Sequence, residues 1–231
     1  MAESQLHRPG FVQIRTTLAQ LPYPRLEDRP TITTERLVLK PFYEGAAEDL
    51  HPMRVQQEVM KWTSQGAPDK SIEETRKWTL TRLPPNDETD FSFVISLLET
   101  GEVIGAGGSF RRECELGWPG IGYAFRKEAW GKGYATEFLK AYMEAWWKLP
   151  RVEVLLEVDR TTLSEKEIAA SPEALIEERC SAEALSDNPG SHRVLEKAGF
   201  VKVKEWRNEE KNWLIYGWVT AAEARAWEKP A

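Results

Sequence analysis

Cysteine and histidine are scarce in this 231-residue chain, which holds two cysteines, Cys114 and Cys180, and three histidines, His7, His51 and His192. Two distant thiols make neither a disulfide framework nor a thiolate metal site, and the histidines share no metal-ligand spacing, so the sequence predicts no metal. Long hydrophobic runs are missing as well. No stretch approaches the ~18 apolar residues of a membrane span, and residues 1–10 are polar, with no apolar segment before a small-residue cleavage site. The expectation is a cytoplasmic protein with no membrane partner. Net positive charge is also lacking, because 31 Lys plus Arg stand against 37 Asp plus Glu, a formal charge of −6. That sign disfavours nucleic acid and suits a neutral or basic small partner.

What the chain does have is apolar and aromatic material, 41% hydrophobic residues with 10 Trp, 8 Phe and 6 Tyr. This is the composition of a packed core. Residues 1–30, with Pro9, Pro22, Pro24 and Pro30 and only 11–14 apolar, read as an N-terminal arm, extended or partly disordered. No Pro/Gly/Ser-rich linker divides residues 31–220, which read as one domain, and 221–231 reads as a C-terminal tail.

Alternation around Leu37 and Leu39 predicts a strand ending before Pro41, and Leu50, Met53, Val59 and Met60 predict helix over 46–62. A second helix over 71–83 starts with Ser-Ile-Glu-Glu, a capping-box pattern. Residues 91–98 and 103–110 predict an antiparallel hairpin, and 120–125 a further strand. Ala135, Phe138, Leu139, Tyr142, Met143 and Trp146 recur at spacings of three and four, the stripe of an amphipathic helix to about Lys148. Val152, Val154, Leu156 and Val158 alternate as a strand with one apolar face. The acidic, Ala/Ser-rich stretch 160–187 reads as a helical or mobile insertion. Asn188-Pro189 opens a helix that Gly199 closes, with Val194, Leu195 and Ala198 inward, and a hairpin over 201–206 and 213–219 completes a mixed α+β domain.

The chemistry concentrates at 123–136. Two glycines one residue apart, Gly131 and Gly133, stand between a strand and a strongly amphipathic helix, where free amides and the helix dipole make an anion site. A diphosphate fits such a corner, with the amides of Gly131, Lys132, Gly133, Tyr134, Ala135 and Thr136 as donors; a tight turn needing no ligand is the plain alternative. Gly131-Lys132-Gly133 lacks the Ser/Thr and the upstream glycine of a P-loop, which excludes Walker-type chemistry. Gly105-Ala106-Gly107-Gly108-Ser109-Phe110 lacks the third glycine and the following helix of a dinucleotide fingerprint.

Four motifs in order, Thr34-Glu35-Arg36-Leu37-Val38-Leu39, then Ile121-Gly122-Tyr123, then Trp130-Gly131-Lys132-Gly133-Tyr134-Ala135-Thr136-Glu137, then Asn188 with Ser191 and Leu195-Glu196-Lys197-Ala198-Gly199-Phe200, resemble the GNAT superfamily of acyl-CoA-dependent N-acetyltransferases. The branch they resemble most is that of the ribosomal-protein N-terminal acetyltransferases, and the likeness covers about 31–220. The resemblance implies a mixed, mostly antiparallel sheet flanked by helices, with two central strands splayed to admit acetyl-CoA. It implies that Tyr123, Ala124 and Phe125 pair with the pantetheine arm, that 131–136 hold the diphosphate, and that Asn188 lies near a pantetheine amide as well as capping its helix. Trp130 replaces the usual Gln or Arg, which weakens one cofactor contact.

Transfer to an amine also needs a base, because alkyl amines are mostly protonated at pH 7. Gly120 stands where many relatives have a glutamate, leaving Glu113, Glu115, Glu153 and Glu157 as water-relayed candidates. The tyrosine acid of other branches falls at Leu195, so by analogy Ser191 serves the departing sulfur. The implied function is acetyl transfer from acetyl-CoA to a small-molecule amine or protein N-terminus by direct attack, as monomer or homodimer. Two alternatives are a catalytically weak acyl-CoA-binding or regulatory module and a nucleotide-binding interaction domain.

Overall fold

The computed structural model describes residues 8–111 and 113–221. The strands are β1 (Phe11–Ala19), β2 (Ile32–Thr33), β3 (Leu37–Pro41), β4 (Phe91–Leu97), β5 (Val103–Arg111), β6 (Gly120–Phe125), β7 (Arg151–Asp159), β8 (Leu175–Ile176), β9 (Arg179–Leu185), β10 (Val201–Arg207) and β11 (Leu214–Ala221). The helices are α1 (Ala46–Arg54), α2 (Gln57–Met60), α3 (Ile72–Leu80), α4 (Tyr134–Trp147), α5 (Glu165–Ile168) and α6 (Pro189–Lys197). Eight strands make one sheet in the order β10-β11-β9-β6-β5-β4-β3-β2, and β7, β1 and β8 make a second. In the large sheet β6 and β9 run parallel and the other pairs antiparallel. The mixed, mostly antiparallel α+β architecture is the one the sequence led us to expect.

The stripe read from 135–146 packs α4 on the sheet. Phe138, Leu139, Tyr142, Met143 and Trp146 are buried against Phe91, Phe93 and Phe125, with Ala135 partly buried beside them. Burial of each such side chain is worth roughly 1.5–3 kcal/mol, so the N-terminus of α4 is held on a fixed platform. The Tyr142 hydroxyl accepts from Ser109 N–H at 2.8 Å and donates to the Phe91 carbonyl at 3.0 Å, so its burial leaves no polar group wanting. On the same face α6 buries Leu195 and rests Val194 and Ala198 on the core. Gly199, at φ +85°, supplies the left-handed residue that ends it. The other face carries α1 and α2, whose Leu50, Met53 and Val59 meet Val94, Ala106 and Ala124.

Four expectations are corrected. Residues 11–19, expected as part of a loose arm, form β1, which pairs antiparallel with β7 from Phe11↔Asp159 to Ala19↔Arg151. Ile14 and Leu18 bury against Leu156 and Val158, so this segment is part of the fold. The expected apolar face of β7 is buried only at its end; Val152 is 41% exposed. The acidic stretch, expected as helical or mobile, holds α5 with a Ser164–Glu167 capping box, then β8, then the central strand β9. The capping box expected at Ser71 is not made, because the Glu74 carboxylate accepts from Lys70 N–H at 2.7 Å instead. Of the C-terminal tail only Ala221, the end of β11, lies within the described residues. Among those residues no helix is long and apolar enough to cross a membrane, and no group of three or more His, Cys, Asp or Glu could hold a metal ion.

Candidate active site

Gly131 and Gly133 both lie in the left-handed region, at φ +75° and +84°, where a side chain costs roughly 1–2 kcal/mol. Their conformation turns the chain from β6 into α4, and Gly133 caps α4 without a side-chain acceptor. The first helical hydrogen bond runs from Glu137 N–H to the Gly133 carbonyl. The amides of Tyr134, Ala135 and Thr136 therefore have no intrahelical acceptor and carry the positive end of the helix dipole. A Cβ at Gly131 would meet nothing within 4 Å. The corner is an open cradle of donors.

The first motif proves to be its clamp. Arg36 donates to Glu137 from Nε at 2.7 Å and to the Lys132 carbonyl from Nη1 at 2.9 Å, and its guanidinium lies 4.8 Å from the Tyr134 ring centroid. Thr34 Oγ1 and Arg36 N–H donate to the same carboxylate at 2.6 and 2.8 Å. Burial alone would raise the Glu137 carboxyl, but these hydrogen bonds and the Arg36 charge hold it below its ordinary value. A strand motif distant in sequence thus fixes the carbonyl between the two glycines.

The strands next to this corner separate. β6 and β9 pair only at Gly120↔Ser181, with Ser181 N–H donating to the Pro119 carbonyl at 2.8 Å. Arg126 N–H donates to the Ile104 carbonyl, so alternate residues of β6 turn their main-chain groups to β5, and those of Tyr123 and Phe125 face the widening gap. Ala124, expected with them, is corrected: its carbonyl points at Gly105 in β5 and its side chain joins the α1 face. Trp130 donates from its indole to the Phe125 carbonyl at 2.8 Å and so occupies one acceptor facing the gap.

At the far side of the gap, Asn188 caps α6, its Oδ1 accepting from Ser191 N–H at 3.1 Å. The cap occupies the oxygen, which leaves the carboxamide Nδ2 as the group able to donate to a ligand carbonyl. His192 Nε2 lies 2.9 Å from the Leu185 carbonyl, and its ring stacks on Tyr216 at 5.1 Å, fixing the first turn of α6 against β9 and β11. Ser191 stands in that turn beside the hydroxyl of Tyr123. Leu195 is buried in the core.

The absent glutamate has a physical cause. A Cβ on Gly120 would lie 1.9 Å from Cys114 Sγ, and one on Gly122 would lie 2.8 Å from the Phe110 ring. Their side-chain space is already filled. Of the four expected bases, Glu153 and Glu157 belong to β7 in the second sheet, Glu153 paired with Arg15 at 2.6 Å, and Glu113 and Glu115 are exposed on the β5–β6 connection. The structure brings up another carboxylate. Glu183 lies two residues past Ser181 on β9, on the same face as Gly122, and accepts from Glu115 N–H at 3.3 Å. Across this face the β10–β11 turn reaches the loop after α2, with Lys211 donating to the Ser64 carbonyl and the Trp213 ring over Gly66.

An open donor cradle at the start of α4, two strands splayed beside it and a capped helix opposite make a specific arrangement. The acetyltransferase (GNAT) domain family matches residues 36–201. The chain belongs to the GNAT acetyltransferases. Solved structures share the fold at low identity. A GNAT-family acetyltransferase from Bacillus anthracis is 20% identical, with a TM-score of 0.60 over 83% of this chain and 98% of that one. A Vibrio cholerae protein described as a ribosomal-protein-serine acetyltransferase is 15% identical, with a TM-score of 0.57 over 83% and 96%. A spermidine N-acetyltransferase from Vibrio cholerae, solved with CoA and spermine, is 13% identical, with a TM-score of 0.57 over 81% and 96%. No curated protein sequence matches the chain.

Proposed function

We propose that this GNAT protein transfers an acetyl group from acetyl-CoA to a primary amine, a small molecule or a peptide N-terminus, by direct attack. The observation that carries the reading is the opening between β6 and β9 beyond Gly120↔Ser181, with the donors of 131–136 at one end and Glu183 on its open face. The residues fit the cosubstrate. The amides of Gly131 to Thr136 and the Lys132 ammonium would hold its diphosphate, the main chain of Tyr123 and Phe125 and the Asn188 Nδ2 its pantetheine arm. When bound, acetyl-CoA supplies an activated acyl carbon and a thiolate leaving group.

The chain's own residues supply the rest. The Glu183 carboxylate attracts a cationic amine, the form that dominates at pH 7, and takes its proton, directly or through one water. The Ser191 hydroxyl donates a hydrogen bond where the sulfur's charge develops. The overall charge of −6 favours approach of a cation.

The test is Glu183→Gln, which keeps size and hydrogen bonding but removes the base. With an acceptor found from a panel of polyamines, arylalkylamines and peptides, kcat/KM should fall by about 10²-fold or more while acetyl-CoA affinity stays unchanged. Full activity in the variant would remove Glu183 from the mechanism. The second reading, an acyl-CoA-binding or regulatory module with weak catalysis, is favoured by Cys114 filling the Gly120 position and by Leu195 in the core. Tight acetyl-CoA binding without thiol release above background on that panel would establish it.

A further inference from the structure

The Tyr123 hydroxyl is one of several buried side-chain polar atoms without a hydrogen-bond partner of good geometry, and it is the one that neighbours Ser191. It is buried and makes no hydrogen bond of ordinary geometry, although a buried hydroxyl without a partner costs roughly 1–3 kcal/mol. Its ring is fixed edge-on between Phe125 and Phe138, each 6.3 Å away centroid to centroid. A larger residue at Gly107 would collide with the Tyr123 Cβ at 2.8 Å and the Phe138 ring at 2.7 Å, so the glycine in β5 makes room for this placement. Burial pushes the phenol well above its ordinary value, and the neighbouring Ser191 hydroxyl offsets this slightly. Such a phenol stays protonated at working pH, which makes it a donor and not a base.

We propose that Tyr123 is a positioning residue: its hydroxyl donates to Ser191 Oγ, so that the serine's own hydrogen is directed at the thiol sulfur of the bound carrier. A serine hydroxyl has one donor and two acceptor sites, and a fixed donor behind it removes the freedom to point elsewhere. The Ser191 main chain is already held by Asn188 Oδ1, so the Tyr123 contact fixes the one remaining rotor. No covalent bond is made to either residue; both act by hydrogen bonding as negative charge gathers on sulfur. The inference rests on the acyl-CoA reading above.

The experiment compares coenzyme A with desulfo-coenzyme A by calorimetry on the wild type, Tyr123→Phe, Ser191→Ala and the double variant. The wild type should bind coenzyme A about fivefold more tightly than the desulfo analogue, the worth of one hydrogen bond to sulfur. Tyr123→Phe and Ser191→Ala should each lose that increment while binding the desulfo analogue as before, and the double variant should be no worse than Ser191→Ala. In turnover, kcat should fall several-fold in Tyr123→Phe at unchanged KM for acetyl-CoA. A Tyr123→Phe protein that keeps the sulfur increment, or a double variant whose losses add, overturns the proposal. Absence of coenzyme A binding by the wild type overturns instead the reading on which it rests.

Discussion

Gly120→Ala is the smallest change that asks why the glutamate of many relatives is missing here. The new methyl would be built 1.9 Å from Cys114 Sγ, whereas carbon atoms in contact settle near 3.5–4.0 Å, so one partner must move by about 1.5 Å. Neither moves easily. Gly120 is paired on both sides, to Arg111 and Ser181, and the Cys114 backbone donates to the Trp118 carbonyl at 3.0 Å and accepts from Gly117 at 2.8 Å. Overpacking of this kind costs roughly 1–3 kcal/mol, and the reduced entropy of the unfolded alanine chain returns less than about 1. We expect a net loss of about 2 kcal/mol, a fall in Tm of about 4–8 °C for a chain of this size. Cys114→Ala removes the sulfur and leaves its Cβ at 3.4 Å, an ordinary contact. On its own that variant should lose about 1 kcal/mol of packing. Combined with Gly120→Ala it should lose no more than it does alone, a coupling of about 2 kcal/mol in a double-mutant cycle. Urea denaturation of the four proteins under reducing conditions measures it. A Gly120→Ala protein as stable as wild type, or losses that add, would refute the claim that Cys114 fills this space.

Two further outcomes follow from the same reasoning. Gly131→Ala places a methyl in open space but at φ +75°, so stability should fall by only about 1 kcal/mol, while acetyl-CoA binding measured by calorimetry should weaken at least tenfold, because the strained corner no longer holds its amides in place. Unchanged affinity would leave the turn without a ligand. Glu178 is buried, and burial pushes its carboxyl from 4.5 up to about 7 against the pull of Arg151, whose Nε lies 2.8 Å away. Between those values the folded protein binds the extra proton, so Glu178 makes stability fall as pH rises from about 4.5 to 7, by up to about 3 kcal/mol, and then level off. Thermal melts of Glu178→Gln across that range should be flatter than wild type; parallel curves would exclude the assignment.

The α4 stripe and its glycine corner are legible in the sequence because bulky residues at three- and four-residue spacing have one way to be buried. β9 is not legible. Cys180, Ala182 and Ala184 face the core and Ser181, Glu183 and Leu185 the other side, so small residues stand where alternating large ones would announce a strand. Without β9, Glu183 counts with the insertion, and two of the four candidate bases, Glu153 and Glu157, lie on β7 in the other sheet. Arg36 posed the same difficulty. Its motif marks a strand locally, but its contacts with Lys132 and Glu137 span about a hundred residues and exist only once β3 and α4 pack. The Cys114–Gly120 contact is likewise a fact of a looped chain returning on itself.

Between α4 and β9 the chain takes a long detour that leaves both elements in place beside the gap. After α4 the chain leaves the large sheet, pairs β7 with β1 and returns through α5 and β8 before entering β9. Two anchors fix that return. Arg179, buried at the start of β9, is held by Glu167 of α5 at 2.8 Å, and β9 is registered on β11 over seven residues from Arg179↔Ala221 to Leu185↔Ile215. The second anchor does not depend on the detour. Since Asn188 and Ser191 follow β9 within one turn, and Asn188 N–H donates to the Leu185 carbonyl at 3.0 Å, their positions relative to the gap are set by the β9–β11 ladder. What precedes β9 can therefore vary in length and structure without moving Asn188 and Ser191, provided the ladder keeps its register.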